Sequence, residues 1–356
     1  MFFLTPPPLG AVVAAGGTVE VPVSGKNGVP SDAAAVALNV TVTDTEGAGY
    51  LTAWPCGTLR PLASNLNYVT GEVVANLAVV RPGTNGAVCI YSSAAANIVV
   101  DLAGWFPASS PVSVSSPSRA LDTRSGSKPS ATGVVSVQLS SSFKGAILNV
   151  TAVDAEGEGY VTVWPCDRTR PTASNLNYVP GRVAASVAFV APSSDGRVCF
   201  YTYAAAHIVV DIDGAFTASE PVLINGQRLV DTRLGTPAPT LTPGNDLSVV
   251  VARGNPAPSG STAVVFTVTS TLAQDDGYIT VWPCDQAKPF TSNVNAARGI
   301  DRASVVLAKP SANGAVCFSS FGRTEMVVDA SGWFIDGFIA VTPVRVADTR
   351  TDTRTF

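Results

Sequence analysis

The Asp-Thr-Arg triplets Asp122/Thr123/Arg124, Asp231/Thr232/Arg233 and Asp348/Thr349/Arg350 each place a carboxylate and a guanidinium two residues apart. On an extended strand both side chains point to one face. Such a pair can recognise an anion or a sugar through the bidentate donors of arginine, or it can be a structural ion pair that pins one part of the fold to the next. The second reading is the one expected for all three pairs. Asp101, Asp211 and Asp329 end the apolar runs "VVD", and a buried carboxylate needs a partner. The arginine of a nearby Asp-Thr-Arg is the expected one.

The second candidate is a set of amides. Asn65 with Asn67 and Asn175 with Asn177 stand at i and i+2, followed by Tyr68 and Tyr178. Paired amides beside a flat ring are the kit of a carbohydrate site, and Asn bonded to local turn backbone is the bland alternative. Asn293 and Asn295 repeat the spacing but are followed by Ala296, so a site that relies on the tyrosine is absent there. Acidic turns at Asp44 and Glu46, at Asp154, Glu156 and Glu158, and at Asp275 and Asp276 offer oxygen ligands for a hard cation. Their spacing differs from copy to copy, so they are expected to be solvated turns. The only histidine is His207, and neither a nucleophile elbow nor a phosphate loop is present. The chain is expected to be no enzyme and to carry no metal and no cofactor.

These groups recur because the chain does. "GYLTAWPCGTLRPLASNLNY" from Gly49 returns as "GYVTVWPCDRTRPTASNLNY" from Gly159 and "GYITVWPCDQAKPFTSNVNA" from Gly277. The cysteines Cys56 and Cys89, Cys166 and Cys199, and Cys284 and Cys317 are each 33 residues apart, whereas the gaps between repeats are 77 and 85. A constant length inside the unit and a variable one outside it predict three disulfides within the repeats. Two cysteines per unit and one histidine in all are too few for three zinc sites. Disulfides imply an oxidising compartment. Trp54, Trp164 and Trp282 lie two residues before the first cysteine of each pair and are expected to pack against it.

Between these landmarks run short alternating or continuously apolar segments rich in Val, bounded by Gly, Pro, Asn and Ser, which read as strands and hairpins. The expected fold is all-β, with three pseudo-symmetric repeats of short antiparallel strands covering residues 1–124, 125–233 and 234–356. The first repeat begins without an Asp-Thr-Arg and the last ends with a spare one. That asymmetry predicts one closed, propeller-like ring, with the C-terminal segment completing the layer around the N-terminal strand; three tandem β-sandwich beads are the alternative. The 356 residues carry a net charge of −4 and only 13% charged residues, with no basic run to neutralise nucleic-acid phosphates. No stretch approaches the roughly 18 to 20 apolar residues of a membrane span, so neither nucleic acid nor membrane insertion is expected. The N-terminal "MFFLTPPPLG" lacks a basic start and holds three prolines, unlike a signal peptide.

The "GYLTAWPCG", "SNLNY", "VCIYSSAAANIVVDLAGWF" and "RALDTR" segments together resemble a repeat of secreted actinobacterial proteins, found beside peptidases, glycosidases and cell-wall amidases or in surface proteins. The resemblance runs from about Gly16 to Arg350, and 17 Arg against 5 Lys suits a GC-rich genome. It departs from the pattern in the third repeat, at "SNVNAARG" and "FSSFGRTEMVVD". The resemblance implies export to the extracellular surface and a non-catalytic role. The expected function is a binding or adhesion module for polysaccharide or cell-envelope surfaces. The alternative is a structural or assembly protein of a cell surface or virion, partnered by other protein chains.

Overall fold

The computed structural model describes residues 12–235 and 238–351; the "MFFLTPPPLG" segment lies outside them. Repeat one supplies β1 (Thr18–Pro22), β2 (Ala35–Thr43), β3 (Gly49–Pro55), β4 (Leu66–Tyr68), β5 (Val74–Val80), β6 (Ala87–Ser92) and β7 (Asn97–Phe106). Repeat two supplies β8 (Val112–Asp122), β9 (Val134–Gln138), β10 (Gly145–Val153), β11 (Gly159–Pro165), β12 (Leu176–Tyr178), β13 (Ala184–Val190), β14 (Arg197–Thr202) and β15 (His207–Phe216). Repeat three supplies β16 (Val222–Asp231), β17 (Leu247–Val250), β18 (Ala263–Thr271), β19 (Gly277–Pro283), β20 (Val294–Ala296), β21 (Arg302–Ala308), β22 (Ala315–Ser320) and β23 (Glu325–Phe334), and the chain ends with β24 (Ile339–Asp348).

These strands form six four-stranded antiparallel sheets set in a ring, the arrangement of a six-bladed propeller. Three of them carry the disulfides, in the orders β4-β3-β6-β1, β12-β11-β14-β9 and β20-β19-β22-β17. The other three run β5-β2-β7-β24, β13-β10-β15-β8 and β21-β18-β23-β16. The first strand of each order lies next to the axis, where β4, β5, β12, β13, β20 and β21 meet their neighbours.

The middle strands of the second set are buried along their whole length or nearly so, as in β2 "AVALNVTVT". Both faces have work to do, which explains runs without strict alternation. One face of β2, with Val36, Leu38, Val40 and Val42, packs on the disulfide sheet of its own repeat. The other, with Ala35 and Ala37, joins a core shared by all three repeats. At its centre the last residues of the three "GWF/GAF" segments, Phe106, Phe216 and Phe334, meet with centroids 5.8 to 6.1 Å apart, and Phe338 lies 4.7 Å from Phe106. Beads on a string would have no such common core.

The ring closes as a strand exchange, with a correction to its partner. β24 pairs with β7, Arg345 opposite Asp101 and Asp348 opposite Val99, not with the N-terminal strand β1, which pairs with β6. By the same rule β8 completes the sheet of repeat two and β16 that of repeat three. Cuts after residues 124 and 233 therefore part a strand from its sheet. The first two Asp-Thr-Arg triplets thus close the repeat that follows them, and Asp348/Thr349/Arg350 closes repeat one.

The disulfides join Cys56 to Cys89, Cys166 to Cys199 and Cys284 to Cys317. Each crosses from just after the "WP" strand to the strand opposite it; Trp54 faces Cys89 in register and packs with both cysteines of its pair.

Candidate functional site

The Asp-Thr-Arg triplets are joints. Asp122 accepts from Arg124 Nε at 2.8 Å and Nη2 at 2.6 Å, and also from the Arg124 backbone N–H; Asp231 with Arg233 and Asp348 with Arg350 repeat this geometry. The threonine hydroxyl accepts the backbone N–H of Ile208, Met326 or Ile98 at 2.8 to 2.9 Å, which bolts the triplet to the neighbouring strand. Asp101, Asp211 and Asp329 do not take their expected partner. They are held by the arginine three residues before each triplet aspartate: Arg119 to Asp211, Arg228 to Asp329 and Arg345 to Asp101, each at 2.6 Å. That same arginine also reaches Asp122, Asp231 or Asp348. The result is an Asp-Arg-Asp-Arg ladder in each repeat. Hydrogen bonds from Arg124 and Arg233 hold Asp122 and Asp231 below the usual carboxylate range, while burial pushes Asp101 and Asp329 up against the pull of their arginines.

The amide and tyrosine candidates divide. Asn65, Asn175 and Asn293 each accept a backbone N–H at 2.8 Å, from Ala53, Val163 and Val281, so they complete the edge of the disulfide sheet. Tyr68 and Tyr178 are each 3% exposed, with hydroxyls bonded to Ser92 and Thr202. Gly49 and Gly159 exist for these rings, since a Cβ there would lie 2.7 and 2.6 Å from the tyrosine hydroxyl. Asn65, Tyr68 and Tyr178 are thus interior groups that no polymer can reach, and Asn175 has its amide oxygen committed. Of the six candidates in repeats one and two, Asn67, Asn177 and Tyr178 line cavities, Tyr178 only a small one of 60 Å³ between the innermost strands.

The accessible chemistry lies elsewhere, in three clefts where the disulfide sheet of one repeat faces the Asp-Thr-Arg sheet of the next. Between repeats one and two the cleft has a cavity volume of 340 Å³ and is lined by Tyr50, Arg60, Asn67, Arg119, Arg124 and Asp211. Between two and three it is again 340 Å³, with Tyr160, Arg170, Asn177, Arg228, Arg233 and Asp329 at the same places. Between three and one it is 220 Å³, with Tyr278, Phe290, Asn295, Arg345 and Arg350. The ladder arginine spans the cleft in two cases, Arg228 Nη2 donating to the Thr172 carbonyl at 2.8 Å and Arg345 Nη2 to that of Phe290 at 3.2 Å.

Aromatic faces stand at the outer rim. The Arg60 guanidinium lies 3.5 Å over the Tyr91 ring and Arg170 lies 3.6 Å over Tyr201. Tyr160 stacks on Tyr203 and Tyr278 on Phe321, both with centroids 5.3 Å apart; repeat one has Ser93 at that place. Tyr50, Tyr160 and Tyr278, and the arginines at 60, 119, 170, 228 and 345, escaped the sequence reading. Their signal was present: "GY" and the arginine of "RALDTR", "RLVDTR" and "RVADTR" recur in all three copies.

No protein-family model and no curated protein matches the chain. Among solved structures it is similar, at 11% identity and a TM-score of 0.23 over 91% of this chain and 84% of the other, to a chain of "The Triple Jelly Roll Fold and Turret Assembly in an Archaeal Virus". A second, from "Life in the extremes: atomic structure of Sulfolobus Turreted Icosahedral Virus", matches at 9% identity and a TM-score of 0.22 over 92% and 85%. With TM-scores this low, neither neighbour bears on what this chain does.

Proposed function

We propose that the chain is an extracellular, non-catalytic binding module whose three inter-repeat clefts hold a polysaccharide or cell-envelope polymer. The observation that carries this reading is repetition of one constellation, a tyrosine face, an amide and two arginines, at three equivalent places of one rigid body. Clefts of 340 Å³ fall within the roughly 300 to 1,000 Å³ of small-molecule sites. The apolar face of a sugar ring fits against tyrosine, and its hydroxyls meet guanidinium and amide groups. Every carboxylate of the ladders is already engaged by arginine, which suits recognition better than proton transfer. Three disulfides fit an oxidising, extracellular setting. Weak sites on one body gain avidity.

The test uses Tyr203→Ser and Phe321→Ser, which import the serine that repeat one carries at this place and so respect the fold. Each should weaken retention on insoluble polysaccharide or cell-wall material, and the double variant should lose more than either. Equal retention of all three with the parent, or no retention of the parent on any such polymer, would end this reading.

A specific observation favours the second reading, a structural or assembly protein. Leu59, Leu62 and Phe290 stand 93%, 95% and 86% exposed on the loops that edge the clefts, large apolar tips of the kind that other chains cover. Leu59→Ser with Leu62→Ser should then lower self-association in sedimentation velocity, while glycan binding stays absent.

A further inference from the structure

A fourth cavity lies on the pseudo-three-fold axis and shares Asn67, Asn177 and Asn295 with the three clefts. All six innermost strands wall it, with Asn67, Ala75, Asn177, Ala184, Asn295 and Arg302 one from each. Its volume is 60 Å³, and one water occupies roughly 10 to 15 Å³. That leaves room for a group of about four or five heavy atoms.

The three repeats treat this place unequally. Val74 and Ala184 begin the axial strand in repeats one and two, where repeat three has Arg302. Glu72 Oε1 accepts from Arg182 Nη1 at 2.6 Å and from Arg302 Nη2, and Oε2 accepts the Val69 N–H at 2.9 Å. One carboxylate thus answers two guanidiniums, while the lining as a whole holds two arginines and two carboxylates. The other carboxylate of the lining, Asp301, is exposed and accepts the Leu272 N–H at 3.4 Å.

Among the described residues Arg302 Nε, Ser304 Oγ and Asn295 Oδ1 are buried without a hydrogen-bond partner, and all three residues line this one cavity. Ser304 is 1% exposed and Asn295 8%. Strand alternation puts Arg302 and Ser304 on one face of β21. A guanidinium Nε–H can only donate, a serine hydroxyl can donate, and an amide turned over presents its NH₂. Leaving such groups unanswered in the interior is costly. Arg302 Nε lacks an acceptor and Ser304 Oγ can use one, and the cavity has room for it; Asn295 Oδ1 as placed lacks a donor and joins them only with its amide turned over.

We propose that the axial cavity binds one small oxyanion, a phosphate group, held by Arg302, Ser304 and the free edge of Arg182. It does not depend on the clefts binding glycan. The group can be free inorganic phosphate or the phosphomonoester end of a larger molecule.

Calorimetric titration of the full chain with inorganic phosphate, and separately with glycerol 3-phosphate, tests it. One saturable site per chain is expected. Arg302→Ala, which installs the alanine of repeat two, should weaken it at least tenfold, and Ser304→Ala should weaken it severalfold. Arg197→Ala, which removes an exposed guanidinium paired with Asp195, should leave it unchanged. Binding of glycerol 3-phosphate as tight as that of phosphate assigns the site to a phosphomonoester, and binding of phosphate alone to the free ion. No saturation by either probe, three sites per chain, or unchanged affinity in both Arg302→Ala and Ser304→Ala would overturn the proposal.

Discussion

Asp213 gives the sharpest test of the energetics. It sits in "HIVVDIDGAF", where repeat one has Ala103 and repeat three Ser331, and Ala103 belongs to the core shared by the three repeats. Asp213 is 3% exposed, and among the described residues neither of its carboxylate oxygens has a hydrogen-bond partner. Burial, with a smaller contribution from the charge of Asp211, pushes its carboxyl up from 3.8 to about 8. The folded chain therefore keeps the proton that the unfolded chain releases, so this group's contribution to stability is largest below about pH 4 and declines as pH rises toward 8. At about 1.4 kcal/mol per pH unit, the loss reaches about 4 kcal/mol at pH 7 and about 6 kcal/mol once pH exceeds 8. Asp213→Ala, the residue of repeat one, and Asp213→Asn, which keeps the volume, remove that slope. Denaturant unfolding between pH 4 and 9, disulfides intact, should show both variants gaining on the parent with rising pH and the gain levelling off above pH 8. A stability difference that does not change across this window, or a parent that is the more stable form at pH 8, refutes the reasoning.

Removing a ladder arginine should cost more than its surface position suggests. Arg228→Ala leaves Asp329, its side chain 3% exposed, buried without its partner, at about 3 to 5 kcal/mol, and adding Asp329→Ala should recover part of the loss in the same unfolding assay. Phe216→Ala opens the centre of the shared core and should cost about 3 to 5 kcal/mol, with all three repeats losing protection together in hydrogen exchange. Truncation after Phe334 removes β24, so amides of β7 in repeat one should exchange faster although the cut lies in repeat three; unchanged β7 protection would contradict the strand exchange. Each disulfide closes a loop of the same span, so cysteine-to-serine pairs should lower stability in similar steps of about 3 to 4 kcal/mol.

Much of this architecture is legible in the chain because it is encoded locally. The disulfide pairs follow from a constant count of 33 residues, and the strands follow from period-two patterning between turn residues. Ring closure follows from the placing of the motif, with no Asp-Thr-Arg ahead of the first repeat and Asp348/Thr349/Arg350 after the last. The choice of partners was not legible. β24 meets β7 with register shifts between Ala340 and Val344 and between Arg345 and Ala347, and each irregularity resets which face a side chain occupies. Arg345 therefore takes Asp101, while Arg350 turns back on Asp348. The same limit applies to the tyrosines. Tyr50 and Tyr68 are of one type on paired strands, yet Tyr50 lines a cleft while Tyr68 is sealed beneath Ser92 and Ala94. The clefts and the axial cavity exist only where segments more than fifty residues apart come together. Sequence spacing records the strand a residue belongs to, and only the packed structure decides whether its side chain ends in the core, in a joint or in a site.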